Sequence, residues 1–356
     1  MNKYFMGSAI IEEDMQDIYQ RNVNWSDFYN RTVLITGATG MLASYIVYFF
    51  IYLNEMHNAN INILALARNQ AKCYQRFGLY AMKKYFQIIN DDFTVPVKIK
   101  KKVDFIIHAA SLASPQYYKS MPIEVAAPNA VGTYYLLQFA QKQQVRGFLF
   151  FSTGDIYGYI PSPNIITEDM VGSMDPLELH SCYGESKRMG ETWCAAFARE
   201  QEVPVHIIRI GHTYGPTMDI ENDPRVFAAF MKCIYYGKDI MMLSDGTAKR
   251  SFCYIADAIA GFLLVLLEGE IGAAYNVCNS KEFISISELA ELMLRLRPEL
   301  NLRVIQKQRT DSESYLENKN NKANKLTEKK LITLGWECHY NSYVGFRNVL
   351  KYLQGV

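Results

Sequence analysis

Short runs of continuous apolar residues recur along the chain, each followed by a longer segment of helical periodicity. The runs are Thr32–Gly37 (TVLITG), Ile61–Ala67 (INILALA), Val103–Ala110 (VDFIIHAA), Gly147–Thr153 (GFLFFST) and Val205–Gly211 (VHIIRIG). They are rich in β-branched and aromatic residues and lack polar alternation, so both faces of each strand are expected to be covered. Helical patterns over 41–54, 70–88, 122–143 and 180–201 separate them. Such alternation predicts an α/β fold built on a doubly wound parallel sheet.

Outside this core the pattern changes. Residues 1–30 read as a polar helical extension with Trp25 and Phe28 as anchors. After Gly215 the segments become more mixed. Gly272–Asn279 (GAAYNVCN) reads as a further strand, and Ser285–Leu296 (SISELAELMLRL) as a capped helix. The charged, asparagine-rich stretch 308–330 reads as surface helix and loop. The division expected is an extension over 1–30, a Rossmann-type nucleotide-binding domain over 31–215 and a smaller α/β substrate domain over 216–356. The strand near 272–279 is expected to return to the core.

Composition narrows the function classes. A net charge of +1 gives no footprint for a nucleic-acid backbone or an anionic membrane surface. The seven cysteines, Cys73, Cys182, Cys194, Cys233, Cys253, Cys278 and Cys338, show neither metal-ligand nor redox spacing. The six histidines are equally dispersed, so no metal site is expected. The most apolar run, Met41–Leu53, is shorter than the roughly 20 residues that span a bilayer. The N-terminus lacks the charged and apolar regions of a signal peptide, and a cytoplasmic protein with reduced thiols is expected.

The first chemical pattern is Thr36–Ser44 (TGATGMLAS), between a strand and a helix. Gly37 permits a tight turn, Gly40 lets backbone approach a pyrophosphate and Ala43 lets helix and strand pack closely. Phosphates would sit at the helix N-terminus, with Thr39, Met41 and Leu42 as further cofactor contacts. The spacing is Gly-x-x-Gly-x-x-Ala rather than Gly-x-Gly-x-x-Gly, and dinucleotide binding is favoured over a plain βα turn because strand, turn and helix follow in order. Arg68, after the second strand, suits the 2′-phosphate of NADP, or stacks on the adenine of NAD, or is simply solvated. Ala109, Ala110 and Ser111 end the third strand with small side chains, which let a cofactor lie close or serve packing alone.

Tyr-x-x-x-Lys occurs three times, at Tyr80/Lys84, Tyr183/Lys187 and Tyr315/Lys319. Only the second follows a strand end that bears a hydroxyl, Thr153, with Asp155 beside it. Tyr80 lies in an amphipathic helical pattern, and Tyr315 in a charged stretch. A free tyrosine titrates near ~10. A Lys187 ammonium and a positively charged nicotinamide would favour its phenolate. Tyr183 and Thr153 could then take the proton of an alcohol while the cofactor oxidises its carbon.

The ordered set TGATGMLA, HAAS, FST, YGESK and GHTYGP resembles the extended short-chain dehydrogenase/reductase superfamily, over roughly residues 31 to 350. The resemblance implies a nucleotide-sugar enzyme with bound NAD, NADP being possible through Arg68, and with a homodimer contact from helices 122–143 and 180–201. It implies a supporting role behind the site for Asn129, diphosphate binding for Arg225, and substrate contacts for Ser114, His212 and Arg250. Within the superfamily the chain looks most like UDP-glucuronate decarboxylases, through Thr153–Gly158 (TGDIYG), Arg250–Phe252 (RSF) and Ser181–Cys194.

Gly154, Asp155, His180 and His212 depart from that group's serine, glutamate, arginine and asparagine. Three readings follow. In a decarboxylase, C4 of a UDP-hexuronate is oxidised and the β-keto acid loses carbon dioxide to give UDP-xylose or a 4-keto pentose. Asp155 and Arg250 then manage the carboxylate and reprotonation. A 4-epimerase or 4,6-dehydratase shares the oxidation, although Gly154 removes one acid that a dehydratase with an acid pair would use. A non-catalytic NAD(P)-binding subunit would not need Tyr183 and Lys187.

Overall fold

A computed structural model describes residues 4–161, 165–307 and 324–356. Its centre is a seven-stranded parallel sheet: β1 (Thr32–Thr36), β2 (Asn62–Leu66), β3 (Phe86–Ile89), β4 (Phe105–His108), β5 (Gly147–Thr153), β6 (Val205–Ile210) and β7 (Ala274–Val277). The order across the sheet is β7-β6-β5-β4-β1-β2-β3. The order reverses beside β1, which opens a crevice at the carboxyl ends of β1 and β4, the place where such sheets take ligands. Val33 of β1 pairs with Phe105 of β4 on one side and with Ile63 of β2 on the other. All residues of β1, β4 and β5 are buried, which is why their sequences are uninterrupted apolar runs.

The main helices are α1 (Ala9–Gln20), α2 (Met41–His57), α3 (Cys182–Glu200) and α4 (Ile255–Glu268). Ser8 caps α1 by accepting from the Ile11 amide, and the helix buries Ile10, Ile11, Met15 and Ile18. α2 is buried continuously from Ala43 to Leu53, as its apolar sequence requires. Trp25 and Phe28 anchor the segment after α1, at 5% and 0% exposure. The expected helix at 285–296 is present over Ile286–Leu294, with a capping box between Ser285 and Glu288. Among the described residues no helix is long and apolar enough to cross a membrane.

Two expectations change. The helical pattern over 70–88 ends early. The helix covers Gln70–Phe77, Gly78 turns the chain at φ +54°, and β3 follows as an edge strand. β3 is only four residues long and half covered, so it leaves a weak periodic signal. The segment 122–143 is helical but interrupted by a π turn at Pro128–Gly132, where proline cannot donate to the helix ladder.

The strand at 274–277 pairs with β6 and so completes the central sheet. A smaller sheet stands over the carboxyl ends of the strands. In it Lys249–Tyr254 runs parallel to His212–Tyr214 and antiparallel to Phe283–Ser285.

Candidate active site

The turn after β1 is held by Gly40 N–H on the Gly37 carbonyl at 2.8 Å and by Gly37 N–H on the Leu66 carbonyl at 3.0 Å. Gly37 sits at φ +65°, and a Cβ there would lie 2.7 Å from the Ala110 Cα. Only glycine suits that position, because the left-handed conformation and the approach of β4 both exclude a side chain. The turn feeds directly into the N-terminus of α2. Met41, Leu42, Ala109 and Ser111 line one end of a cavity of about 540 Å³. At this rim the Ser111 hydroxyl is buried without a partner, as is that of Ser114, which is not among the lining residues. Glycine turn, helix start and unpartnered donors together fit a dinucleotide phosphate. Arg68 is exposed beyond β2, where its charge reaches Asp92.

β5 and α3 place the middle of the cavity. Thr153 ends β5, and Tyr183 and Lys187 stand one turn apart on the buried face of α3. All three line the cavity. The Tyr183 ring is 7% exposed and stacks on Tyr118, with centroids 5.1 Å apart and planes at 12°. Burial first, and the charge of Asp155 second, push the Tyr183 phenol up, against a hydrogen bond with the Thr153 side chain. Lys187 Nζ donates to the Phe151 carbonyl at 2.5 Å and lies 5.9 Å from the Tyr183 ring centroid. Burial pulls the Lys187 amine down to about 7.

The sequence expectation rested on Lys187 together with a positively charged nicotinamide; among the chain's own groups, burial outweighs any lowering of the phenol. The ammonium is directed at a backbone carbonyl, and burial dominates. Behind the pair, Asn129 donates to Ser186 Oγ at 3.1 Å, and its own Oδ1 is buried without a partner.

At the other end Asp155, His180, His212, Arg225 and Arg250 converge on the same cavity. Asp155 and His212 are solvent-accessible, but the surface they expose faces the cavity and protein surrounds them. Burial raises the Asp155 carboxyl, with His180 and Arg250 opposing. Burial lowers His212 to about 3, reinforced by Arg250 and Arg225, so the imidazole is neutral and offers one donor and one acceptor. Arg250 donates from Nη1 to the Lys249 carbonyl at 2.7 Å. Arg225 is paired with Asp223 at 2.5 Å and its guanidinium lies over the Phe227 ring at 4.8 Å.

All five catalytic candidates thus share one cavity. The competing Tyr80 lies in a 3-10 turn remote from it, with Lys84 outside that turn, so the two do not form a helical pair. Tyr315 and Lys319 lie outside the described residues.

Sequence reasoning missed several participants. Tyr118 gives no signal beyond a second tyrosine after Pro115. His108 is fully buried, bonded to Thr36 at 2.9 Å and Thr133 at 3.1 Å, and burial lowers it to about 3. It is therefore a neutral strut beneath the site. Glu191 accepts from Ser152 and from both prongs of Arg209, at 3.0 and 2.8 Å, tying α3 to β5 and β6. The stretch expected at the surface returns to the cavity within its described part. Lys325–Leu326 pairs with Ile165–Ile166, and Asn324 and Leu326 join the lining. A Cβ on Gly154 would meet Leu326 Cδ1 at 3.0 Å, so Leu326 occupies the space beside Asp155.

Comparison with known proteins gives a consistent picture. A family model described as "NAD dependent epimerase/dehydratase family" matches residues 33–278. UDP-glucuronic acid decarboxylase 6 of Arabidopsis thaliana is 32% identical over 283 residues, which cover 78% of this chain and 78% of that protein. Among solved structures, UDP-glucuronic acid 4-epimerase from Bacillus cereus, in complex with UDP-glucuronic acid and NAD, superposes with a TM-score of 0.74 at 20% identity. It covers 91% of this chain and 99% of its own. The dTDP-glucose 4,6-dehydratase DesIV from Streptomyces venezuelae gives 0.73 at 20% identity, covering 91% and 97%. Likeness at these identities speaks to the fold.

Proposed function

Since the chain belongs to the NAD-dependent epimerase/dehydratase family, we propose that it acts on a UDP-hexuronate and decarboxylates UDP-glucuronate to UDP-xylose or a 4-keto pentose. It is an NAD-dependent enzyme of the nucleotide-sugar class. The observation that carries the reading is one cavity holding Thr153, Tyr183, Lys187, Asp155 and Arg250, in a chain related to UDP-glucuronic acid decarboxylases.

The turn at Gly37–Gly40 with Thr39, Met41 and Leu42, the Ala109–Ser111 strand end, and Asn129 behind the site would hold NAD. When bound, NAD supplies reversible oxidation of the sugar C4 alcohol and a positive charge near the phenol. Tyr183 accepts the C4 hydroxyl proton, with Thr153 hydrogen-bonded to the same oxygen. Lys187, buried beneath them, fixes the geometry through the Phe151 carbonyl. Once C4 is a ketone, the C5–C6 bond breaks, its electron pair moves to C5 and the C4 oxygen, and carbon dioxide leaves. Asp155, its carboxyl raised by burial, would be the group that hands a proton to C5. Arg250 grips the carboxylate before it leaves, and Arg225, His212 and Ser114 contact the remainder of the nucleotide sugar. The segments 122–143 and 180–201 would form a homodimer contact.

A specific observation favours a second reading, C4 epimerisation. Position 154 has no side chain and Leu326 fills the space beside it, so no second acid adjoins Asp155 there, where an acid pair would serve a dehydratase. Epimerisation asks only for Thr153 and Tyr183. The test is incubation with a panel of nucleotide sugars that includes UDP-glucuronate, read by mass and NMR. Loss of carbon dioxide is the expected result. A product of unchanged mass inverted at C4 would replace the first reading with the second, and no change in any nucleotide sugar would refute both.

A further inference from the structure

The twelve residues of α1 precede the family match, which begins at residue 33. Asp14, in the middle of α1, is fully buried. Its Oδ2 accepts from the Tyr45 hydroxyl of α2 at 2.5 Å and from the Tyr254 hydroxyl at 2.8 Å. Tyr254 ends the strand that carries Arg250. Arg21, just after α1, donates to Asp257 of α4 and to the Glu337 carbonyl, both at 2.7 Å. His339 Nδ1 meets Asp17 at 2.8 Å. The segment therefore ties the helix behind the glycine turn to the strand behind the sugar end of the cavity, and both to the loop before the last helix.

The chemistry at its centre is unusual. Asp14 Oδ1 is buried without a partner. Among the described residues the nearby cation, Arg21, is already engaged by Asp17 and Asp257. The groups facing Asp14 are Asp17 of α1, Tyr45 of α2, Tyr254 of the strand, Asp257 of α4 and Tyr340 of the loop. An ionised Asp14 would be a buried anion with no counter-ion and two acids nearby, which is strongly unfavourable.

We infer that α1 is a clamp between the two parts of the molecule, and that protonation of Asp14 tightens it. The inference stands apart from the reaction proposed above. Burial pushes the carboxyl up to about 8, the two phenols opposing and Asp17 and Asp257 adding. With α1 released, Asp14 would titrate near ~4. The docked state thus holds an extra proton between about pH 4 and 8, and docking weakens as pH rises through that window. From about pH 7 to about pH 9.5 the docked-to-released ratio should fall about tenfold.

The test is hydrogen exchange by mass spectrometry on the full chain at a series of pH values between those two, both included, corrected for intrinsic exchange. Peptides from β5 report whole-molecule opening. Melting temperature alone would mislead, because Lys187 shifts global stability in the opposite direction over an overlapping range. Peptides over Ala9–Gln20 should lose about tenfold in protection in the wild type. Asp14→Asn accepts the same two phenols but cannot ionise, and should show no loss. Tyr254→Phe removes a donor that favours the anion, and should move the loosening to higher pH. Equal loss in Asp14→Asn and wild type would overturn the inference, as would a flat wild-type profile or an unmoved midpoint in Tyr254→Phe.

Discussion

Replacing Tyr183 by phenylalanine deletes one oxygen and leaves the ring in its stack on Tyr118. The structure allows the two consequences to be separated. The lost hydroxyl gives up its hydrogen bond with Thr153, about 1 kcal/mol, and a buried polar group is removed with it. These terms nearly cancel, so stability should stay within about 1 kcal/mol of wild type. Turnover should not, because the phenol oxygen is the proposed acceptor of the C4 proton. General acid–base catalysis is worth roughly 10²–10⁴ in rate, or about 2.7–5.4 kcal/mol of barrier. The assay is the initial rate of product formation from UDP-glucuronate with NAD supplied, followed by NMR, beside a denaturant melt of the same preparations. Tyr80→Phe is the control, since that ring rests on Phe5 at 5.6 Å, far from the cavity. A Tyr183→Phe enzyme that keeps its wild-type rate refutes the assignment, as does a Tyr80→Phe enzyme equally impaired.

Gly37→Ala should combine roughly 1–2 kcal/mol for the left-handed backbone with roughly 1–3 for the contact with Ala110, seen as a lower melt and poorer retention of NAD. An unchanged melt with full NAD content would contradict the role given to that turn. Arg250→Lys should weaken UDP-glucuronate binding more than UDP binding, because an ammonium cannot reproduce the two-pronged grip on a carboxylate. Calorimetric titration with both ligands decides it, and equal losses would assign Arg250 to the diphosphate. Lys187 has a lowered folded value of about 7, so the unfolded chain binds the extra proton between about pH 7 and 10.4 and stability should rise with pH there. Denaturant melts at both ends of that range should show the rise in wild type and its absence in Lys187→Met.

The sequence alone determined most of the sheet and singled out the Tyr183/Lys187 pair, for local physical reasons. A strand buried on both faces must be apolar throughout, so β1, β2, β4, β5 and β6 were visible as uninterrupted runs. A turn that excludes a Cβ must use glycine, so Gly37 marked itself. Tyr183 and Lys187 stood out because one helical turn separates them, directly after a hydroxyl-bearing strand end in chain order.

What escaped was decided by long-range contact. β3 is an edge strand too short for a period. Leu326 reaches the cavity only because its strand pairs with Ile165–Ile166, far away in sequence. Tyr118 acquires a role only by lying flat on Tyr183. The ionisation of the site belongs to the same class. The sequence placed a lysine beside a tyrosine, but burial and the direction of the ammonium set their protonation. These depend on what surrounds a group, not on its neighbours along the chain. Asp14 shows the point most plainly: residues 1–30 read only as a polar helical extension, and the tertiary structure encloses this carboxyl between two phenols, with no cation bonded to it among the described residues.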